Sequence, residues 1–223
     1  MKLDLELYRK EVLVSREPWV RLSLIDIAPE NPRRTLVFVH GFSGRALQWE
    51  HQLRAFSEES RVLAVDLRGH GLSDAPETSY SMEEILGDLE SILEALGISE
   101  KIVLLGHSFG GAVVSSFAVA HPERVEKLIL ISASSDFTLR RLYRWAFRLP
   151  ASLVEFIRRL LPQRLIYPPA HVLKRFYANN LRVWNGRGVL PQLRAPTLVI
   201  TGQRDLAFPQ AAYAAVAELI PGS

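Results

Sequence analysis

The sequence predicts an α/β fold: an open, mainly parallel sheet with helices on both faces and a helical insertion laid over it. Three observations carry that expectation. Five short runs rich in Val, Ile and Leu are apolar throughout rather than at alternate positions, the pattern of strands buried on both faces. Helical segments fall between those runs, and strand–helix alternation is how a parallel sheet is connected. The alternation stops near Ala133 and resumes at Ala195, and the stretch between has a different charge from the rest.

Taken in order, "EVLVS" and "VRLSLIDIA" form an antiparallel pair that leads into the sheet. The buried runs follow as "TLVFVH" (35–40), "RVLAVDL" (61–67), "KIVLLGH" (101–107), "EKLILIS" (126–132) and "PTLVIT" (196–201). Helices are expected at about 46–57, 81–96, 109–120 and 210–219. Ser81 with Glu84 fits a capping box, and Gly97 is placed to stop that helix. In the insertion, "LRRLYRWAFRLP" puts Leu142, Trp145, Ala146 and Leu149 on one helical face and Arg140, Arg144 and Arg148 on another. "SLVEFIRRLL" does the same with Leu153, Phe156, Ile157 and Leu160, and Pro150 and Pro162 divide the helices. The domain boundaries read this way are 1–133 with 191–223 for the sheet domain and 134–190 for the insertion.

Composition narrows the chemistry. The 223 residues are 48% hydrophobic and 23% charged, as in an ordinary folded protein. With no cysteine, disulfides, thiolate metal sites and cysteine nucleophiles are excluded. "MKLDLELYRK" lacks the apolar run of a signal peptide, and no run is long enough to span a bilayer, so a soluble, cytoplasmic protein is expected. Net charge is only +3, yet residues 134–190 hold eleven Lys and Arg against Asp136 and Glu155 alone. Such asymmetry marks a separate unit. Its arginines are expected to face water and its apolar faces to line a pocket, with contact to an anionic membrane as the alternative. Nothing matches a nucleic-acid-binding motif.

"GHSFGG" (106–111) carries the sharpest signal. Gly106-His107-Ser108-Phe109-Gly110 fits G-x-S-x-G where a predicted strand ends and a predicted helix begins, the setting of a nucleophile elbow. The turn is strained at the serine and admits only the smallest residues two positions to either side, here Gly106 and Gly110. A glycine-rich turn with an ordinary serine is the plainer alternative. Acyl transfer also needs donors for a developing oxyanion. The backbone N–H of Phe109 supplies one, and that of Phe42, in the "HGFSG" turn after the first parallel strand, supplies the other. His40 is expected to support that turn rather than act as the base.

With these pieces the chain resembles the α/β-hydrolase superfamily, in the group of serine hydrolases with a helical cap. The matching phrases are "HGFSG" (40–44), "DLRGHGLSD" (66–74), "GHSFGG" (106–111), "AHPERVEKLILIS" (120–132) and "APTLVITGQRD" (195–205), in the family's order. The resemblance implies that Ser108 is the nucleophile, which argues against the haloalkane dehalogenase and epoxide hydrolase branches, where aspartate stands at that position. It implies that Asp205, in "TGQRD", is the catalytic acid, with Asp136 as the alternative. It places the catalytic histidine beyond an eighth strand, and the sequence has eighteen residues after Asp205, so that strand, the histidine loop and the final helix are expected to be missing from it. Of the six histidines, only His171, in the insertion, is a possible stand-in for the base.

The resemblance implies no metal or organic cofactor. It is shared by lactonases, carbon–carbon bond hydrolases, thioesterases and cofactor-free haloperoxidases, so it does not select a reaction subtype. The expected activity is cleavage of an ester or related carbonyl compound, and the alternative is a ligand-binding protein on a hydrolase scaffold without turnover. Trp145, Phe147, Phe156, Phe176 and Tyr177 are the insertion residues expected to line a pocket for a small substrate with an apolar group.

Overall fold

A computed structural model describes residues 3–138, 147–160, 168–202 and 209–223. The strands are β1 (Arg9–Arg16), β2 (Trp19–Ile27), β3 (Thr35–Val39), β4 (Arg61–Val65), β5 (Ile102–His107), β6 (Val125–Ile131) and β7 (Thr197–Ile200). They form one seven-stranded sheet in the order β1-β2-β4-β3-β5-β6-β7. The pair β1–β2 is antiparallel, as the two N-terminal runs suggested, β2–β4 is antiparallel as well, and the remaining pairs are parallel.

Continuous apolarity has the expected consequence. Every residue of β3 is buried, and alternate residues serve opposite faces. Val37 and Val39 join Leu63, Val65 and Leu104 beneath α2 (Met82–Ala95) and α3 (Phe109–Ala120). Leu36 and Phe38 join Val62, Ala64, Val103 and Leu105 against α1 (Glu50–Phe56), where Trp49 and Leu53 close the other core. The predicted capping contact is present: the Ser81 hydroxyl accepts the Glu84 N–H at 3.3 Å. At the other end of α2, Gly97 adopts φ +64°, and the Ile98 N–H returns to the Leu93 carbonyl at 2.9 Å.

One edge of the sheet is unlike the interior. β7 pairs with β6 alone among the described residues, and Leu198 and Ile200 are 55% and 46% exposed.

Between β6 and β7 the described chain is helical: α4 (Ala151–Leu160), α5 (Ala170–Phe176), a π turn (Tyr177–Leu181) and a short α6 (Gly186–Val189). Most of "LRRLYRWAFRLP" lies outside the described residues, while Phe147 and Arg148 stand in a turn. The expectation that apolar faces line a pocket does not hold for α4. Leu153, Phe156, Ile157 and Leu160 form the predicted stripe but are exposed, Phe156 by 60%. The cause is the way α4 meets α5. Glu155 accepts the Ala170 N–H at 3.1 Å and pairs with Arg158 at 2.6 Å, so the polar edge of α4 docks and its apolar stripe does not. α7 (Gln210–Leu219) returns to the sheet domain and buries Ala212, Tyr213 and Val216.

Candidate active site

Parallel register brings the functional turns together. β3 and β5 align so that Val39 faces Gly106, and Gly106 faces Leu130 of β6. The loops leaving β3, β5 and β6 therefore emerge side by side at the carboxyl ends of the strands, where open α/β sheets place their sites.

At the end of β5 the chain turns at Ser108 with φ 52° and ψ −118°, a positive φ that non-glycine residues rarely adopt. Backbone packing enforces it. The Ser108 N–H donates to the Ile131 carbonyl at 2.8 Å, and the Gly111 N–H donates to the Ser108 carbonyl at 2.9 Å. A Cβ on Gly106 would lie 2.4 Å from the Gly110 carbonyl oxygen, and one on Gly110 would lie 2.3 Å from that of Val39. The two glycines are thus required by close approach of three backbones, as the spacing in the sequence suggested. Ser108 Oγ has no hydrogen-bond partner among the described residues.

The "HGFSG" turn meets the serine directly: a Cβ on Gly41 would sit 3.0 Å from the Ser108 Cβ. The turn is held by the buried His40 imidazole, whose Nδ1–H donates to the Gly41 carbonyl at 2.8 Å and whose Nε2 accepts the Leu67 N–H at 3.0 Å. Those two bonds specify one neutral tautomer. Burial keeps it neutral by pushing the His40 pKa down to about 4. Phe109 opens α3, so its N–H has no acceptor within the helix. Neither it nor the Phe42 N–H donates to another group among the described residues. The free Phe109 amide, at the positive end of a twelve-residue helix, directly follows the serine, and the Phe42 amide directly follows Gly41, which packs against the Ser108 Cβ.

An aromatic cluster covers this corner. Phe176, fully buried at the end of α5, lies 4.9 Å from Phe109, 5.7 Å from Phe42 and 5.0 Å from His70 between ring centroids. Phe147 stacks on Tyr177 at 4.0 Å and reaches Phe42 at 6.1 Å. Phe156, named with these residues from sequence, makes no ring contact with them and stands on the exposed stripe of α4. Trp145 and Asp205 lie outside the described residues. Asp136 accepts the Thr138 N–H at 3.0 Å and closes its own turn.

His70 and Phe137 also belong to the cluster, although sequence reasoning assigned them no place in the site. His70 donates Nδ1–H to the Arg68 carbonyl at 3.0 Å and leaves Nε2 buried without a partner. Burial, with His40 alongside, pushes its pKa down to about 3. Phe137 packs 5.8 Å from Phe109. A histidine in "DLRGHGLSD" was legible as part of a turn, but not as a wall of the site.

No histidine hydrogen-bonds to the Ser108 hydroxyl among the described residues. His107 points its Nδ1 to Gln48 at 3.2 Å. His121 lies 3.9 Å from Glu90 and Glu123. His171 lies 3.7 Å from Glu77 and 6.4 Å, ring to ring, from Tyr80. His51 rides on α1 at the surface.

The insertion is tied to the loop before α2. Arg175 pairs with Glu77 at 2.6 Å and donates to the Thr78 carbonyl at 3.0 Å. Asn179 donates to the Ser79 carbonyl at 2.6 Å and Asn180 to the Tyr80 carbonyl at 2.5 Å. Tyr80 itself has φ 56° and is fully buried.

A serine with positive φ between a parallel strand and a helix, with Gly41 packed against it, is the backbone geometry of a strand–turn–helix elbow. Comparison with known proteins names it: residues 34–166 match the model of the alpha/beta hydrolase fold family, and the chain belongs to that family. It is similar to epoxide hydrolase 4 of Mus musculus, 41% identical over 130 residues that cover 54% of this chain and 36% of that protein. The chain spans 27% to 36% of the length of the first curated relatives it matches. Among solved structures it is similar to a hydrolase from Pseudomonas aeruginosa, with TM-score 0.78, 25% identity and coverage of 96% of this chain and 87% of that one. A thermophilic esterase from Thermogutta terrifontis gives TM-score 0.74, 26% identity and coverage of 96% and 86%. No helix among the described residues is long and apolar enough to cross a membrane.

Proposed function

We propose that this protein is a serine hydrolase that cleaves an ester or related carbonyl compound through an acyl-enzyme. The observation that carries the proposal is Ser108 held at φ 52° with the unengaged Phe109 amide next to it and the Gly41–Phe42 turn packed against it. Ser108 Oγ attacks the carbonyl carbon, and the Phe42 and Phe109 N–H groups take up the negative charge on its oxygen. A histidine base accepts the serine proton and passes it to the leaving alcohol, and water then cleaves the acyl-enzyme. Asp205 orients that histidine. The six histidines present have other surroundings, so the proposal assigns the base to a residue that these 223 do not contain.

Serine chemistry also separates the proposal from the activity named for the epoxide hydrolase relatives. A carboxylate that opens an epoxide forms an ester, which water can cleave at its carbonyl. A serine that opened an epoxide would form an ether, with no carbonyl for water to attack. Ser108 therefore favours a carbonyl substrate. Phe42, Phe147, Phe176 and Tyr177 favour an apolar acyl or alkyl group.

A second proposal, ligand binding without turnover, draws on the lack of a histidine hydrogen bond to Ser108 among the described residues. The two part on one experiment. A fluorophosphonate probe, applied to the full-length product that carries these residues, is expected to label Ser108 by mass spectrometry. Ser108→Ala is expected to abolish labelling and to lower kcat on p-nitrophenyl esters by roughly six orders of magnitude. Full-length protein that neither labels nor turns over esters supports the binder, and turnover that survives Ser108→Ala removes Ser108 as nucleophile.

A further inference from the structure

We propose that the insertion carries a binding site for a phosphate-bearing anion, in an outward cleft behind the aromatic cluster. The cleft encloses about 540 Å³ and is walled by Phe147 and Arg148 on one side and by α5 with its π turn on the other. That volume lies within the roughly 300–1,000 Å³ typical of small-molecule sites. Lys174, Ala178 and Arg182 follow one another at four-residue intervals and so share a helical face, with the small Ala178 leaving room between the two cations.

Charge points to the occupant. Among the described residues four cations line the cleft, Arg148, Lys174, Arg175 and Arg182, and no carboxylate does. Only Arg175 is balanced, by Glu77. Lys174 donates to the Leu149 carbonyl at 2.6 Å, which holds its ammonium in place without neutralising it. Arg148 and Arg182 are exposed and have no ion pair among the described residues. Three uncompensated cations converging on one hollow repel one another, and an anion of matching charge removes the repulsion. A phosphate ester carries about −1.5 to −2 charges and three acceptor oxygens, which suits two guanidinium forks and an ammonium better than a single carboxylate does. The half-buried rings of Phe147 and Tyr177 add an apolar wall for the organic part of such a ligand.

The inference is independent of the serine chemistry and is tested by binding. Purified protein is titrated at low salt with pyrophosphate, with ADP and with malonate, and mixed with vesicles of phosphatidylglycerol or of phosphatidylcholine. The expected result is saturable binding of pyrophosphate or ADP with Kd at or below about 1 mM, weakened about tenfold or more by the double change Arg148→Gln and Arg182→Gln. Neither side chain has a partner among the described residues, so an unchanged melting temperature is expected and verifies that the variant folds. Arg187→Gln, which removes a charge outside the cleft, is expected to leave binding within about twofold. Binding to phosphatidylglycerol vesicles alone, with the same dependence on Arg148 and Arg182, supports the site and places the phosphate in a lipid headgroup. No saturable binding to any probe overturns the proposal. Equal weakening by Arg187→Gln overturns it in favour of diffuse charge attraction, and malonate binding as tightly as pyrophosphate overturns the phosphate assignment.

Discussion

The elbow and the insertion face each other across one site but are built by different physics. At the elbow, position is set by backbone meeting backbone: three chain segments approach so closely that Gly106 and Gly110 leave no room for a methyl group. The insertion is set by side chains reaching for partners, through Arg175, Asn179 and Asn180 and a few ring contacts, while a whole stripe of α4 stays exposed. Close-packed backbone tolerates no small displacement, whereas side-chain tethers tolerate exchange. Under the proposed function, the part that aims the nucleophile is rigid by construction, and the part proposed to meet the variable end of a substrate is adjustable.

The sharpest attempt to break this contrast is Gly110→Ala. Its Cβ meets the Val39 and His40 carbonyls at 2.3 and 2.6 Å, and neither backbone can yield. A loss of about 3 kcal/mol is expected from urea unfolding, at the upper end of overpacking costs. A loss below half of that would show the elbow to be softer than its geometry.

Acid comes next. His40 and His70 are held near 4 and 3 by burial, below the 6.5 of a free imidazole, so the unfolded chain binds more protons as pH falls. Stability is therefore full above about pH 7 and declines as pH drops through 6.5, by up to about 1.4 kcal/mol per pH unit for each imidazole. Asp66 and Asp88, raised by burial, oppose this only nearer the carboxylate range. Melting temperature against pH should fall between pH 7 and about 5, and His70→Gln should flatten that slope. A flat profile in the unaltered protein would mean that these rings are not buried in solution.

On the insertion side, Asn180→Ala leaves the buried Tyr80 carbonyl without its donor, at a cost of about 1–2 kcal/mol. The expected symptom is local: faster proteolysis between β6 and β7, with the midpoint for the sheet domain nearly unchanged. A global shift as large as that of Gly110→Ala would erase the distinction between the two regions. The smallest effect has the opposite sign. Gly87, exposed within α2, has nothing within 4 Å of a built Cβ, so Gly87→Ala should add about 0.5–1 kcal/mol through helix propensity.

What could be read from the sequence divides along the same line. The elbow glycines, the two flanking amides, the parallel order and the caps of α2 are local patterns whose spacing follows directly from backbone geometry. The insertion was legible only as helix and charge. A 3.6-residue stripe identifies Leu153, Phe156, Ile157 and Leu160 as one face but does not say what that face meets, and here Glu155 decided the docking instead. Tyr80 in a left-handed conformation has no signal in "PETSYS", and the donor to its carbonyl, Asn180, lies a hundred residues away. His70 looked like one more turn residue for the same reason: its neighbours Phe42 and Phe176 come from distant parts of the chain.

The tether between the two regions has a consequence for how such a protein can change over generations. Arg175, Asn179 and Asn180 grip the carbonyls of Thr78, Ser79 and Tyr80. Every amino acid carries a carbonyl, so these three grips are written in the main chain of the loop, with the Glu77 carboxylate as the one side chain that answers Arg175, while the plug is written in the side chains of the insertion. A new insertion that brings its own Arg and Asn donors at the same spacing can be grafted onto an unaltered sheet domain, and specificity can be replaced as a cassette while Ser108 stays where it is.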